Sequence, residues 1–261
     1  MTKELIADLL KTEAYSSAET SANQTLNESW TTALKDPLWY LIIKEDLELL
    51  IYQTDISTPR LKWLRKQLFH TVQESLKYNR IPLAEEHESF KFDSEREPIN
   101  TLIIHHTEGR PQVDLDELNT QGFLLQYTQD FLKGRPILGQ SITDKPVGSG
   151  HYRNERQVFY AYHWIIKPNG EAVRLLEDKN IGWHAGNWEV NKRSIGVTLA
   201  GNFDNTPPPE NQIEGLTKLI RDEYAFINPQ KILGHYEINS RKTCPGITFT
   251  NSWREKVIGK Q

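Results

Sequence analysis

From residue 99 onward, short runs of β-branched and apolar residues alternate with helical patterns, and this alternation constrains the fold most strongly. INTLIIHHT and SIGVTLAGNF are typical of buried strands, and FYAYHWIIKPNGEAVRLL predicts two strands joined by a turn at Asn169-Gly170. PPPENQIEGLTKLIRDEYAFI predicts a helix with one apolar face. Strands interleaved with helices indicate an α/β (α+β) domain with a mixed central β-sheet flanked by helices.

The preceding part of the chain has a helical periodicity. STPRLKWLRKQLFHTVQESLKYNR predicts a helix that is capped at Ser57 or Thr58 and has Pro59 in its first turn. DPLWYLIIKEDLELLIYQ predicts a second, largely buried helix, and the start of the chain predicts one or two weaker ones. The charged, proline-containing stretch EEHESFKFDSEREPIN separates the two patterns. We therefore predict a helical region over residues 1–95 and a second domain over residues 96–261.

The composition is that of an ordinary globular protein, with 37% hydrophobic residues, 25% charged residues and a formal net charge of -4. This charge gives no indication of nucleic acid or an anionic membrane as a partner. No apolar run approaches the ~20 residues of a membrane span. The first residues also lack the apolar core of a secretory signal. We expect a cytoplasmic protein, or one exported by a non-classical route such as a holin or a secretion machine.

The single cysteine, Cys244, excludes an internal disulfide and follows His235 by nine residues. His105 lies at the end of a predicted strand, far away in the sequence. Two imidazoles and one thiolate are a ligand set that zinc takes in catalytic sites. The residue types leave two interpretations open, because spacing does not show that the three meet. They form a zinc site, or they are a buried apolar cysteine and hydrogen-bonded core histidines.

Six segments occur in the order of the motifs of a known family. In chain order they are LIIHHT, YHWIIKPNGEAV, GWHAGNW, NKRSIGVTLAGNF, PPPENQIEGLTKLI and GHYEINSRKTCPG. They resemble the zinc-dependent N-acetylmuramoyl-L-alanine amidases, which include phage lysozyme-type amidases and peptidoglycan recognition proteins. The resemblance covers about residues 99–255. It implies one Zn²⁺ per chain and hydrolysis of the amide bond between N-acetylmuramic acid and L-alanine in peptidoglycan or muropeptides.

Position by position, the resemblance implies three zinc ligands and two catalytic residues. The ligands are His105, His235 and Cys244, and the catalytic residues are Tyr162 and Lys242. A lysine suits stabilisation of an oxyanion, and a tyrosine suits orientation of water or proton transfer.

Two neighbouring positions refine this assignment. His106 follows the first ligand on a strand, so we expect its side chain on the opposite face of the sheet. One branch of the family has an acidic base in the central strand where this chain has Thr198. This difference favours a mechanism based on tyrosine and lysine.

Five further side chains are candidates for substrate binding. For His163 and His184, lining a cleft and holding a loop by hydrogen bonds are equal alternatives. The other three have the amphipathic character that stacking on sugars and peptides requires; they are Trp183, Asn187 and Trp188.

Two other functions fit the same residues. Some relatives of this fold recognise peptidoglycan without cutting it, so a binding module is one alternative. A delivered lytic effector with the same chemistry is the other, and its N-terminal helices would bind a protein partner. The long stretch between His105 and Tyr162 is either a surface insertion or a cleft wall.

Overall fold

A computed structural model describes residues 21–259, which form two compact units. Among these residues, one unit combines 21–90 with Asp116–Gly150, and the other combines Lys91–Leu115 with 151–259. The first unit therefore includes an insertion, 116–150, that we expected in the second domain. The weak helices predicted at the start of the chain lie partly outside the described residues. Within those residues, no helix has both the length and the apolarity that crossing a bilayer requires.

The first unit is helical, and its longest helix confirms the predicted capping signal. Thr58 Oγ1 accepts a hydrogen bond from the backbone N–H of Leu61 (3.2 Å), and Pro59 occupies the first turn. The helices of this part of the chain are α1 (Ser21–Ala33), α2 (Trp39–Ile42), α3 (Lys44–Leu47), α4 (Pro59–Lys77), α5 (Leu115–Gly122) and α6 (Gln129–Leu132). The buried stripe of α4 has the predicted helical spacing and contains Leu64, Leu68, Val72 and Leu76.

The single helix predicted around residues 36–53 is instead two short helices, α2 and α3, followed by a π-helical turn. The break falls at Ile43, and the first of the two short helices packs against the insertion. Trp39 stacks on Phe123 with ring centroids 5.5 Å apart, and the Tyr40 hydroxyl donates to the carbonyl of Lys145 (2.8 Å). Two consecutive aromatic side chains of this helix are therefore buried at once.

The second unit contains the predicted mixed sheet. Its elements are β1 (Thr101–His106), β2 (Tyr152–Arg153), β3 (Arg156–Gln157), β4 (Trp164–Ile166), β5 (Ala172–Arg174), α7 (Trp188–Asn191), β6 (Ser194–Leu199), α8 (Glu210–Glu223), β7 (Ile232–Gly234), α9 (His235–Ile238) and α10 (Arg254–Ile258). Five strands form one sheet in the order β5–β4–β6–β1–β7. Only β5 is antiparallel to its neighbour, whereas β4, β6, β1 and β7 run parallel. Strands β2 and β3 form a separate hairpin.

The two faces of the sheet carry different residues. One face packs against α8 and α10 in a core that includes Leu102, Ile104, Ile195, Val197, Leu199, Ile213, Leu216 and Val257. On the other face, Ile103 packs against Ala185 and Val190. Side chains alternate along a strand, so His105 shares the face of Ile103 and His106 shares the face of the large core. This confirms the orientation expected for the tandem histidines.

Candidate active site

The two predicted histidine ligands meet because their strands are neighbours. Ile104 of β1 is in register with Gly234, the last residue of β7. The chain positions that follow, His105 and His235, therefore emerge side by side at the carboxyl edge of two parallel strands. Their ring centroids are 4.5 Å apart, and both side chains are buried.

Cys244 reaches the same point from the loop that follows α9. The backbone N–H of Tyr236 donates to the Cys244 carbonyl (2.9 Å), and the backbone N–H of His106 donates to Cys244 Sγ (3.1 Å). One ligand atom from each of His105, His235 and Cys244 lies within 4.8 Å of the other two. Residues that are far apart in the sequence thus form a compact, buried cluster of two imidazoles and one thiol.

The electrostatics of this cluster suit a metal ion. Burial, together with the neighbouring histidines, lowers the pKa of His105 well below its ordinary value, and burial also lowers that of His235. Both imidazoles are therefore neutral at pH 7 and each keeps a lone pair. Burial raises the pKa of the Cys244 thiol to about 12, against the opposing effect of the His106 hydrogen bond. A divalent cation would reverse this preference by favouring the thiolate, so the donor set fits Zn²⁺.

The two predicted catalytic residues lie near the cluster. The Tyr162 ring centroid is 4.9 Å from that of His105. Burial, with the charges of Cys244 and Glu108, raises the Tyr162 pKa above its ordinary value, so the phenol is a proton donor at neutral pH. Lys242 is exposed, and its positive charge contributes to the lowered pKa of both His105 and His235, after burial in each case.

His163 does not line a cleft, because both of its ring nitrogens bind the backbone. The N–H of Gly196 donates to Nδ1 (3.0 Å), and Nε2 therefore donates to the carbonyl of Asn180 (3.0 Å). The residue is fully buried. Of the two alternatives for His163, the structure favours a role in holding the loop rather than binding substrate.

The buried imidazole of His163 predicts acid-sensitive stability. Burial lowers its pKa to about 3, whereas the unfolded chain takes up the proton near 6.5. The stabilisation is therefore complete above pH 6.5 and is lost as the pH falls from 6.5 towards 3. We expect His163→Gln to flatten the dependence of the unfolding free energy on pH, between pH 6 and 4, by about 1.4 kcal/mol per pH unit.

Denaturant titrations at several pH values measure this slope. Exposed His87, on the helical unit, provides a matched control for the replacement of a histidine by glutamine. An unchanged slope in His163→Gln would contradict the assignment of a neutral buried histidine.

His184 is also buried, and it contacts the ligand cluster directly. Its Nδ1 lies 3.0 Å from His105 Nε2, and its Nε2 lies 3.2 Å from Ser194 Oγ. Both ring nitrogens are therefore engaged within the protein, as they are in His163.

The remaining predicted substrate contacts are Asn187 and two tryptophans whose rings lie near each other. Asn187 caps α7, because its Oδ1 accepts from the N–H of Val190 (3.2 Å). Trp188 donates its indole N–H to Glu95 (2.9 Å), and its ring lies 5.5 Å from that of Trp183. A role of these side chains in binding substrate stays a prediction.

Two polar residues near the site were not among the predicted site residues. Glu108 has a left-handed backbone (φ 55°), and its carboxylate lies 3.8 Å from His106 Nε2. Thr198 is in register with His105, and its Oγ1 is buried without a hydrogen-bond partner among residues 21–259. An acidic residue two positions after the first ligand strand was the available signal for Glu108.

The fold and the cluster define an α/β domain with a candidate metal centre at the carboxyl edge of its parallel strands. The family described as N-acetylmuramoyl-L-alanine amidase (Amidase_2) matches residues 95–247, more than half of the chain. The chain therefore belongs to this family.

Individual relatives are distant. The 1,6-anhydro-N-acetylmuramyl-L-alanine amidase AmpD of Haemophilus influenzae is 26% identical over 169 residues, covering 60% of this chain and 83% of the relative. Peptidoglycan-recognition protein SD of Drosophila melanogaster is 24% identical over 157 residues, covering 59% and 71%. Among solved structures, the N-acetylmuramoyl-L-alanine amidase LysC from Clostridium intestinale has a TM-score of 0.43 and 19% identity, covering 62% and 85%.

Proposed function

We propose that this protein is a zinc-dependent amidase that cleaves the bond between N-acetylmuramic acid and L-alanine in peptidoglycan or muropeptides. One observation carries the proposal. His105, His235 and Cys244 converge within 4.8 Å, and Tyr162 lies against the first of them. Membership of the amidase family supports the same reaction.

Each of these residues has its own role in the proposed reaction. His105, His235 and Cys244 would hold the metal, and bound zinc supplies Lewis acidity and a nucleophile at neutral pH. Water adds to the carbonyl carbon and the C–N bond breaks, which leaves a carboxylate on the lactyl group and a free amino group on L-alanine. Lys242 brings positive charge towards the oxygen on which negative charge develops. Tyr162 retains its phenolic proton and offers it to the reacting groups.

A recognition module is the second candidate, because several relatives are named as peptidoglycan-recognition proteins. Such a module would bind the same polymer and leave it intact. The combination of three ligand residues with Tyr162 and Lys242 favours turnover over binding alone. A protein partner for the N-terminal helices and the route by which the protein reaches its substrate both stay predictions.

Digestion of purified peptidoglycan separates the two candidates. We expect the zinc-loaded protein to release stem peptides beginning with L-alanine, detected by mass spectrometry. Chelation should stop the release and added zinc should restore it, while magnesium, which prefers oxygen ligands, should not. Binding of the polymer by zinc-loaded protein without release of peptides would instead identify a recognition module.

A further inference from the structure

Two consecutive residues, His184 and Ala185, contact both histidines of the ligand cluster. His184 Nδ1 lies 3.0 Å from His105 Nε2, and the Ala185 carbonyl lies 3.3 Å from His235 Nε2. These residues lie on the sheet face that carries Ile103, opposite the large core. One short stretch of chain therefore contacts Nε2 of each ligand imidazole.

The contact with His235 determines which of its nitrogens carries the proton. A carbonyl oxygen only accepts hydrogen bonds, so Nε2 of His235 must be the donor. A neutral imidazole has a single N–H, and Nδ1 is therefore left with its lone pair. His235 is thus in a tautomer that presents Nδ1 to a metal before any metal binds.

The contact between His105 and His184 is compatible with two orders of hydrogen bonds, and one of them also leaves Nδ1 of His105 with its lone pair. In this order, His105 Nε2 would donate to His184 Nδ1, and His184 Nε2 would donate to Ser194 Oγ, 3.2 Å away. The reverse order would place the His105 proton on Nδ1 and block that atom as a ligand. Only the first order leaves both ligand histidines with free Nδ1 lone pairs.

The surrounding chain holds this pair of residues in place. Asn191 Oδ1 accepts a hydrogen bond from the N–H of Ala185 (2.9 Å). Arg96 in turn donates to the carbonyls of Asn191 (3.0 Å) and Ser194 (3.1 Å). Gly196 lies beneath the His184 ring, and a Cβ at that position would be 2.5 Å from His184 Cγ. A glycine in the strand therefore provides the space in which the His184 ring lies.

We propose that His184 and Ala185, held by Asn191, position the metal ligands by keeping both imidazoles in the Nε2–H form, so that zinc binds at Nδ1. His184 and Asn191 are positioning residues in this scheme and need not contact substrate. The inference rests on the proposed zinc site and extends it to the residues around the ligands.

Zinc affinity of paired variants tests the proposal. His184→Leu removes the acceptor, whereas His184→Asn keeps a polar atom near the position of Nδ1. We expect zinc affinity, measured by competition with a chromophoric chelator, to fall about 10–100-fold in the leucine variant and to recover partly in the asparagine variant. Asn191→Leu and Asn191→Asp form a second pair, since aspartate retains an acceptor for the Ala185 N–H.

Controls separate positioning from folding. His87→Leu changes an exposed histidine of the helical unit and should bind zinc as the wild type does. Thermal unfolding of each metal-free variant identifies those that fold. A folded His184→Leu protein with wild-type zinc affinity would overturn the proposal.

A measurement on the unmodified protein avoids variants that fail to fold. Long-range ¹H–¹⁵N NMR spectra of the metal-free protein distinguish the two tautomers of each histidine, and we expect His105 and His235 in the Nε2–H form. A proton on Nδ1 of His235 would overturn the inference even if zinc binds. If the wild-type protein takes up no zinc at all, the proposed cofactor is wrong, and that failure is recognised separately.

Discussion

Replacing Cys244 with alanine is expected to abolish stoichiometric zinc binding. The change removes one of three protein ligands and the only anionic one. Alteration of a residue that merely supports a ligand already costs about 10–100-fold in metal affinity, so loss of the ligand itself should cost more. Zinc per chain, measured by mass spectrometry of the element after dialysis against a zinc buffer, should fall from one to well below one.

The chain offers a clean design for this experiment. Cys244 is the only cysteine, so thiol labelling of the wild type reports on this position alone. The metal-free thiol is buried and its pKa is raised, so we expect slow labelling of the folded protein, which zinc slows further and chelation restores to the metal-free rate. Unchanged zinc content in Cys244→Ala would refute the proposed ligand set.

Removal of the Tyr162 hydroxyl or the Lys242 ammonium group should leave zinc binding unchanged and lower turnover. Tyr162→Phe and Lys242→Ala leave the three ligand residues intact, so each variant should bind zinc normally. Each removes a group that acts on charge or protons during the reaction. Loss of one such donor costs about 10²–10³-fold in kcat in other hydrolases, and we expect a decrease of that size.

Exposed residues of similar chemistry provide the controls, one beside Lys242 and one on the helical unit. Arg241→Ala removes a positive charge from the exposed loop that carries Lys242, and Tyr78→Phe removes an exposed hydroxyl from the helical unit. Both should retain turnover of soluble muropeptides. Full activity in Tyr162→Phe or Lys242→Ala, with one zinc per chain, would remove that residue from the mechanism.

The elements that the sequence predicted well have strong local signals. Strand β1 is buried along its whole length. Its apolar run is too short for a buried helix, so a strand was the natural prediction. Helix α4 has its cap, its proline and its apolar stripe within 20 residues. The helix predicted around residues 36–53 is interrupted at Ile43, and the local pattern gave no sign that Trp39 and Tyr40 pack against the insertion at 116–150.

No local sequence pattern indicated that residues 116–150 belong to the helical unit. The predicted boundary near residue 95 reflects a change of pattern along the chain, whereas 116–150 packs with the helices that precede residue 90. Its contacts with Trp39 and Tyr40 join residues about 80–105 positions apart, and no periodicity reports such pairs.

Residue types and motif order alone determined the family, the three ligand candidates and the mixed sheet, because each depends on short stretches of sequence. Only the tertiary structure decided that His105, His235 and Cys244 meet, since this depends on the adjacency of β1 and β7. It also separated two histidines that looked equivalent. His163 binds only backbone groups, whereas His184 contacts a ligand. His163 directly precedes β4 and His184 lies on the loop before α7, so their rings meet different partners.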